Sequence, residues 1–350
     1  MSLLRLPPEI LRQIFDQLDS SFFREDLGRL SVCKKWFDFA LPACFKCITL
    51  SQKTLRHLII STATQKPLSL ESNLETLDLH LRGYEYNTSP PYPQNAQESN
   101  LRPPALRIRV SYWIKRRRTL NNDLDKLAII AQQSRRLRTL RVRAWKSPWG
   151  HPLSPRDRYL SLSPMLALLS VESLSVLVLD LSGVSLNSSG QQEDERHICP
   201  SVAALLPTLR ILHLRMRDIC PDVLKTQSLD SKLRLSTVVI NLSLPPDQPS
   251  MTAAAHTKPC DSQRGGFIQL RADIREQAEA LLTRMAFPQT MRILTHTLPQ
   301  FDTQSLDVLT GKTMKLKDDA AWDEDGETVQ EDSEPESEIL DEDFNGFLDD

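Results

Sequence analysis

The chain has 350 residues, of which 40% are hydrophobic and 25% charged. A chain of this size and composition buries a sizeable core without disulfides or metal ions. Its net charge of -2 combines two opposite parts: residues 1–317 carry +14 (all 43 Lys and Arg against 29 of the 45 acidic residues), and residues 318–350 carry -16. We expect this acidic tail, residues 318–350, to be disordered, because it has too little apolar surface to offset the entropy of ordering it.

Membrane insertion and secretion are not expected. No apolar run approaches the roughly 18 residues that span a bilayer. Pro7, Pro8, Glu9 and Arg12 interrupt any apolar core of a signal peptide. The six cysteines have no regular spacing, which is typical of a reducing compartment. We therefore expect a cytoplasmic or nuclear protein.

Helical patterns occupy the start of the chain. Pro7 and Pro8 suit the first turn of a helix, where a missing N–H costs nothing, and Glu9 suits the positive end of the helix dipole. Apolar residues then recur at helical spacing, at Ile10, Leu11, Ile14, Phe15 and Leu18. A second run carries Leu27, Leu30, Val32, Cys33 and Trp36. Helices this short bury too little surface alone, so their apolar faces need either the rest of the chain or a partner.

The segments "LPPEILRQIFDQL" and "DLGRLSVCKKW" resemble an F-box, with its Leu-Pro-x-Glu-Ile/Leu opening and its Leu…Val-Cys-Lys-x-Trp close. In that family the helices dock on a Skp-type adaptor, which links them to a cullin. The resemblance covers about 40 residues, and we place the F-box at residues 1–42. It implies two adaptor-binding strips, formed by Leu6, Pro7, Ile10, Ile14 and Leu18 and by Leu30, Val32, Cys33 and Trp36. For each residue the alternative is a place in the module's own core.

A repeat follows in residues 43–317. Seven segments fit the pattern apolar-x-x-apolar-x-apolar, and they start at Phe45, Leu74, Pro103, Leu137, Leu174, Leu209 and Leu235. Short helical stretches separate several of them, so the fold class is α/β and the body reads as an irregular leucine-rich-repeat-like solenoid. A helix with an apolar face at Ile274, Ala278, Leu281, Leu282 and Met285 is predicted to cap it. The alternative is an unrelated α/β or α+β domain. The Leu- and Arg-rich body with long loops also resembles fungal F-box proteins.

Alternation along the predicted strands identifies the side chains that leave the core. These positions are Asp78, His80, Arg107, Arg109, Arg141, Arg143, Val178, Asp180, His213, Arg215, Val239 and Asn241. The basic ones among them (Arg107, Arg109, Arg141, Arg143, His213 and Arg215) form the predicted substrate-binding face. Arginine forks bind carboxylates and phosphates, so the face suits an acidic or phosphorylated target protein. It also suits the chain's own acidic tail, acting as a lid.

Signatures of catalysis or of a cofactor are missing. Cys44 and Cys47 form a lone Cys-x-x-Cys without a second pair, so we predict no metal site. The seven histidines do not join a nucleophile motif. The chain is therefore predicted to be non-catalytic and to need no cofactor.

The predicted function is that of a substrate receptor in a Skp–cullin–F-box ubiquitin ligase; the resemblance supplies the ubiquitin part. One alternative is a nucleic-acid-binding protein that uses the +14 body, although the sequence has no helix-turn-helix, zinc or RNP motif and few aromatics for base stacking. Another is an adaptor-bound assembly factor that takes no part in ubiquitin transfer.

Overall fold

The described part of residues 6–46 is mainly helical, and most of the strands lie after it, the earlier ones separated by helices. The computed structural model describes residues 6–18, 20–64, 68–83, 104–145, 158–186, 197–226, 232–244, 255–260, 266–296, 302–316, 321–324 and 327–328. Its helices are α1 (Pro8–Gln17), α2 (Ser20–Glu25), α3 (Lys34–Lys46), α4 (Gln52–Thr64), α5 (Leu68–Asn73), α6 (Pro104–Gln133), α7 (Leu162–Leu169), α8 (Cys199–Leu205) and α9 (Phe267–Leu282), with 3-10 turns at Leu27–Leu30 and Pro221–Leu224. Its strands are β1 (Cys47–Ser51), β2 (Thr76–Arg82), β3 (Thr139–Trp145), β4 (Val176–Leu181), β5 (Ile211–Met216), β6 (Asp218–Ile219), β7 (Thr237–Asn241), β8 (Ser243–Leu244), β9 (Ala255–His256), β10 (Lys258–Pro259), β11 (Thr290–His296), β12 (Thr303–Asp307), β13 (Thr313–Lys315) and β14 (Glu327–Thr328).

The first three helices pack around a small core of their own. Pro8 opens α1, as a proline in the first turn can, and Glu9 lies in the same turn. The carboxylate of Asp26 accepts a hydrogen bond from the backbone N–H of Gly28 at 2.8 Å and so starts the 3-10 turn. The buried members of this core are Phe15, Phe23, Ala40, Ala43 and Cys44. Since α3 ends at Lys46 and β1 begins at Cys47, the helical module joins the body without a linker.

The body is built on one large sheet. Its strand order is β1-β2-β3-β4-β5-β7-β11-β12-β13-β14. Within this sheet, β1, β2, β3, β4, β5, β7 and β11 are parallel, and β12, β13 and β14 continue it in antiparallel pairs. Helices connect the parallel strands, and consecutive helices α6, α7 and α8 contact one another. The fold is therefore mixed α/β, as the sequence predicted.

Two rows of side chains in register fill the helix-covered face of the sheet. One row is Leu77, Leu140, Leu177, Leu212, Val238 and Met291, and the other is Leu79, Val142, Leu179, Leu214, Ile240 and Ile293. All are at most 2% exposed, and they share one core with helix residues such as Leu124 and Leu168. Each such side chain stabilises the fold by about 1.5–3 kcal/mol relative to an exposed one. The alternate residues of every strand consequently lie on the opposite face, which we call the outer face.

One predicted strand is wrong. The pattern predicts a strand in the segment that starts at Pro103, but residues 104–133 form the long helix α6. Pro104 can occupy the first turn of a helix, and no Gly or Pro follows it before Gln133. The short apolar alternation around Arg107 and Arg109 is thus overruled by a long uninterrupted helical run. Both residues leave the predicted substrate-binding face, and their side chains lie outside the described residues.

The other six segments are strands, and neighbours in the sheet follow each other in chain order from β1 to β5. That order is what a solenoid requires, but the leucine-rich-repeat assignment and the fungal resemblance stay predictions. The predicted domain limits also stay predictions. Helix α3 continues across the limit that was predicted after residue 42. Within the acidic tail only residues 321–324 and 327–328 are described, so its predicted disorder lies outside the described residues.

Candidate functional site

The helical module exposes large apolar side chains in addition to the ones in its core. Ile10 is 41% exposed, Phe37 40% and Val32 63%. Pro7, ahead of α1, is exposed as well. Large apolar side chains of this kind cost free energy in water unless something covers them. Among the predicted adaptor-binding residues, Pro7, Ile10 and Val32 are therefore the ones best placed to contact a partner.

The remaining predicted adaptor-binding residues are half-buried: Leu6, Ile14, Leu18, Leu30, Cys33 and Trp36. Leu18, Leu30 and Trp36 pack against the module's own core. The Trp36 ring meets Phe15 edge-on at 4.6 Å, and its indole N–H donates a hydrogen bond to the backbone oxygen of Arg29 at 2.6 Å. The Cys33 sulfur accepts a hydrogen bond from the backbone N–H of Trp36 at 3.4 Å and caps α3. Trp36 and Cys33 consequently serve the internal structure of the module.

The outer face of the sheet carries two further rows in register. One is Asp78, Arg141, Val178, His213, Val239 and Arg292, and the other is His80, Arg143, Asp180, Arg215, Asn241 and Leu294. The predicted outward positions other than Arg107 and Arg109 thus share one surface. Two strands, β3 and β5, supply its predicted basic residues, and Val178 and Asp180 of β4 separate them.

Arg215 is already bound within the chain. Its guanidinium makes a two-point contact with the Asp180 carboxylate, Nη2 to Oδ2 at 2.6 Å and Nε to Oδ1 at 3.0 Å. The Ser182 hydroxyl donates a further hydrogen bond to Asp180 at 2.7 Å. The Asp180 side chain is only 2% exposed and that of Arg215 15%. The Arg215 guanidinium is therefore occupied by a carboxylate of the same chain, and the pair has a structural role.

A short piece of the acidic tail lies across the same half of the outer face. We call residues 321–324 the covering segment. The Asp323 carboxylate lies 2.8 Å from Nδ1 of His213, and the Arg215 guanidinium stacks 5.0 Å from the Trp322 ring centre. Asn241 donates a hydrogen bond to the backbone oxygen of Trp322 at 3.3 Å. Trp322 also packs against a second, smaller core of Val239, Leu294 and Leu316.

Electrostatics favour this contact. The hydrogen bond with His213 lowers the pKa of the Asp323 carboxyl, and the positive charge of Arg143 acts in the same direction. A basic, partly apolar half of the sheet thus accepts a Trp-Asp-Glu sequence of the same chain.

A basic cavity lies at the edge of the sheet, where the other half of the outer face meets helices α4 and α6. A cavity of about 770 Å³ lies beyond the carboxyl ends of β1, β2 and β3, and its described lining includes Lys53, Arg56, His57, His80, Arg82 and Arg116. Asp123 also lines it, and its carboxylate pairs with Arg56 at 2.7 Å. The carboxyl ends of parallel strands are the usual place for ligands in open α/β sheets. The surplus of positive charge suits an anionic group.

Four side chains of metal-ligand type come together elsewhere, at His197, Cys199, Cys220 and Cys260. Sequence reasoning misses this cluster, because these residues lack the short regular spacing of zinc motifs. Hydrogen bonds from the Cys199 and Cys260 thiols lower the pKa of Cys220 to about 3. By contrast, Cys44 and Cys47 of the Cys-x-x-Cys segment are not part of the cluster.

Comparison with known proteins assigns the helical module. Residues 3–50 match the family model described as F-box-like, whereas a search of curated proteins finds no match. Among the described residues, no helix combines the length and the apolar character needed to cross a membrane. An F-box-like domain implies binding to the adaptor of Skp–cullin–F-box-type ligases. The chain therefore contains an F-box-like domain at residues 3–50.

Proposed function

We propose that this protein is the non-catalytic substrate-recognition subunit of a Skp–cullin–F-box ubiquitin ligase. The observation that carries the proposal is the exposed apolar group Ile10, Val32 and Phe37 on an F-box-like domain that already has its own core. Because these side chains lie outside that core and are exposed to water, their exposure favours a partner that covers them. The adaptor covers them through an interface with an apolar centre.

The first test replaces Ile10 with aspartate. We expect Ile10→Asp to weaken binding of a purified Skp-type adaptor by about 30-fold or more, since it places a charge at the centre of an apolar contact. Isothermal calorimetry measures the affinity, and circular dichroism checks the fold. Ile268→Asp is the matched control, because Ile268 lies on α9 and is 85% exposed. Wild-type affinity of a folded Ile10→Asp chain would contradict the proposal.

The target protein, in this proposal, binds the half of the outer face that the covering segment leaves open, together with the basic cavity at its edge. Arg82, His80 and the other basic residues of the cavity supply the positive charge, and the half-buried Arg141 and Arg143 extend it along the sheet. The Trp145 ring, 5.6 Å from the Arg82 guanidinium, adds an apolar wall. The covering segment supports an acidic ligand, because it is an acidic sequence seated on the other half of this face.

The second test uses the adaptor-deficient chain as a trap, since it holds targets without passing them on. We expect a target captured by Ile10→Asp to be lost from Ile10→Asp/Arg82→Glu, because the reversed charge repels acidic groups at the cavity. Ile10→Asp/Arg271→Glu is the control, with the same charge change at an exposed position of α9. Quantitative mass spectrometry compares the three chains. Equal capture of the same target by all three would place target binding elsewhere.

The proposed role is to raise the effective concentration of a target lysine near the ubiquitin-conjugating enzyme. Cullin in the purified complex and ubiquitination of the captured target in a reconstituted reaction are the expected results. Adaptor binding without cullin would instead indicate an assembly factor. Binding of DNA or RNA with a steep salt dependence would favour the nucleic-acid alternative.

A further inference from the structure

Four potential metal ligands converge beyond the carboxyl ends of β4 and β5. His197 and Cys199 lie at the start of α8, Cys220 follows β6, and Cys260 follows β10. One ligand atom of each lies within 4.8 Å of those of the other three. The three cysteines are at most 2% exposed, and the His197 side chain is 13% exposed. Three distant segments of the chain thus deliver their sulfur and nitrogen atoms to one point.

The distances between these atoms fit a tetrahedral zinc ion. With Zn–S bonds of about 2.3 Å, a tetrahedron places two sulfurs about 3.8 Å apart and a sulfur and an imidazole nitrogen about 3.6 Å apart. The Cys199 and Cys260 sulfurs are 3.8 Å apart. The Cys220 sulfur lies 3.7 Å from Nδ1 of His197. Both separations leave room for an ion between the atoms.

The surroundings of His197 suit a metal ligand as well. The two ring nitrogens of His197 lie 3.7 Å (Nδ1) and 4.0 Å (Nε2) from the Cys220 sulfur, and Nε2 also lies 3.9 Å from the Asp222 carboxylate. Asp222 is held in turn by Lys225, whose Nζ is 2.6 Å from it. A carboxylate beside the second nitrogen of a ligating histidine fixes the ring and makes it a stronger ligand.

A purely apolar role and a disulfide both fit the cluster less well than a metal ion does. Buried cysteines can serve as small apolar residues, but that role gives no reason for an imidazole to join them. A disulfide between Cys199 and Cys260 would need its sulfurs at about 2.05 Å, and it would leave Cys220 and His197 unused. Three thiols and one imidazole are a frequent ligand set of structural zinc.

We propose that His197, Cys199, Cys220 and Cys260 bind one zinc ion that has a structural role. Four protein ligands complete the tetrahedron and leave no open position for a substrate, so the site is not catalytic. The ion connects the start of α8 to the ribbon formed by the paired strands β6 and β10. It thereby fixes the excursion that the chain makes between β7 and α9. This inference does not depend on the proposed role in ubiquitination.

Metal analysis of the full chain tests the proposal. The protein is purified with a reductant and without a chelator, equilibrated with zinc, freed of excess metal and measured by plasma mass spectrometry. We expect about one zinc ion per chain in the wild type and in Cys47→Ser, and a loss of most of it in Cys220→Ser and Cys260→Ser. Cys47 is the matched control because it lies at the start of β1, outside the cluster.

Two measurements on the wild type keep the proposal testable if the cysteine variants fail to fold. Cobalt in place of zinc should give the absorption of a tetrahedral ion with thiolate-to-cobalt charge transfer. Removal of zinc with a strong chelator should lower the unfolding temperature by more than about 5 °C, and added zinc should restore it. Three results would overturn the proposal: less than about 0.1 zinc per wild-type chain, a Cys199–Cys260 disulfide that persists after purification with a reductant, or a zinc content of Cys220→Ser equal to that of the wild type.

Discussion

At the scale of single residues, Asp180 and Arg215 show that some charged side chains of the outer face bind each other rather than a ligand. Alternation predicts that Asp180 and Arg215 point outward, and they do lie on the outer face, yet they bind each other. Because the Asp180 side chain is 2% exposed, its charge depends on Arg215 and Ser182 for compensation. Arg143 is the neighbour of Asp180 in the same row. Its positive charge helps to lower the pKa of Asp323.

This pair gives a stability prediction. Asp180→Ala should lower the free energy of unfolding by about 3–5 kcal/mol, because it leaves the Arg215 charge largely buried without its partner. The double variant Asp180→Leu/Arg215→Leu should lose much less, since no unpaired charge remains. Urea denaturation of the three chains measures the difference. A single variant as stable as the wild type would show that water compensates Arg215.

At the scale of elements, the covering segment and the basic cavity lie at opposite sides of the large sheet. The segment occupies the β5–β7–β11 side through Trp322 and Asp323, and the cavity lies at β1–β3. The lowered pKa of Asp323 sets the sign of the pH dependence. The contact is stabilised while the carboxyl is charged, and this contribution is lost as the pH falls through the lowered pKa. Around neutral pH it is fully present, so a competing ligand rather than a pH change would displace the segment.

A peptide added in trans tests this contact. We expect a synthetic peptide of residues 318–330 to bind the chain that lacks residues 318–350, and to bind the full chain at least about tenfold more weakly, because the tethered segment competes at a high effective concentration. The difference should shrink as salt is added. The same peptide with Trp322→Ala and Asp323→Ala is the control, and fluorescence anisotropy is the measurement. Equal binding of the peptide to both chains would remove the lid hypothesis.

At the scale of the whole molecule, the join between the F-box-like domain and the sheet matters most. The two have separate cores, but α3 runs directly into the edge strand β1. Lys46, the last residue of α3, accepts a backbone hydrogen bond from Glu75 at 2.8 Å and pairs with its carboxylate at 3.6 Å. α3 also packs against α5. A target on the outer face would thus be held in a fixed direction relative to an adaptor on the helices.

The sequence by itself determined the features that depend on neighbouring residues. The helix-opening prolines and the motif that begins at Leu6 identified the F-box-like domain, and apolar alternation located six strands, because both signals are complete within a few residues. Alternation failed at Arg107 and Arg109, where a six-residue pattern that starts at Pro103 overlaps the start of a helix of 30 residues.

Only the tertiary structure decided which distant residues meet. Cys199 and Cys260 are 61 positions apart, and His213 and Asp323 are 110 apart. Their approach is set by the register of the parallel sheet and by the packing of the helices upon it, which no local spacing records. The cysteine cluster and the covered half of the outer face therefore became visible only when the strands were placed side by side.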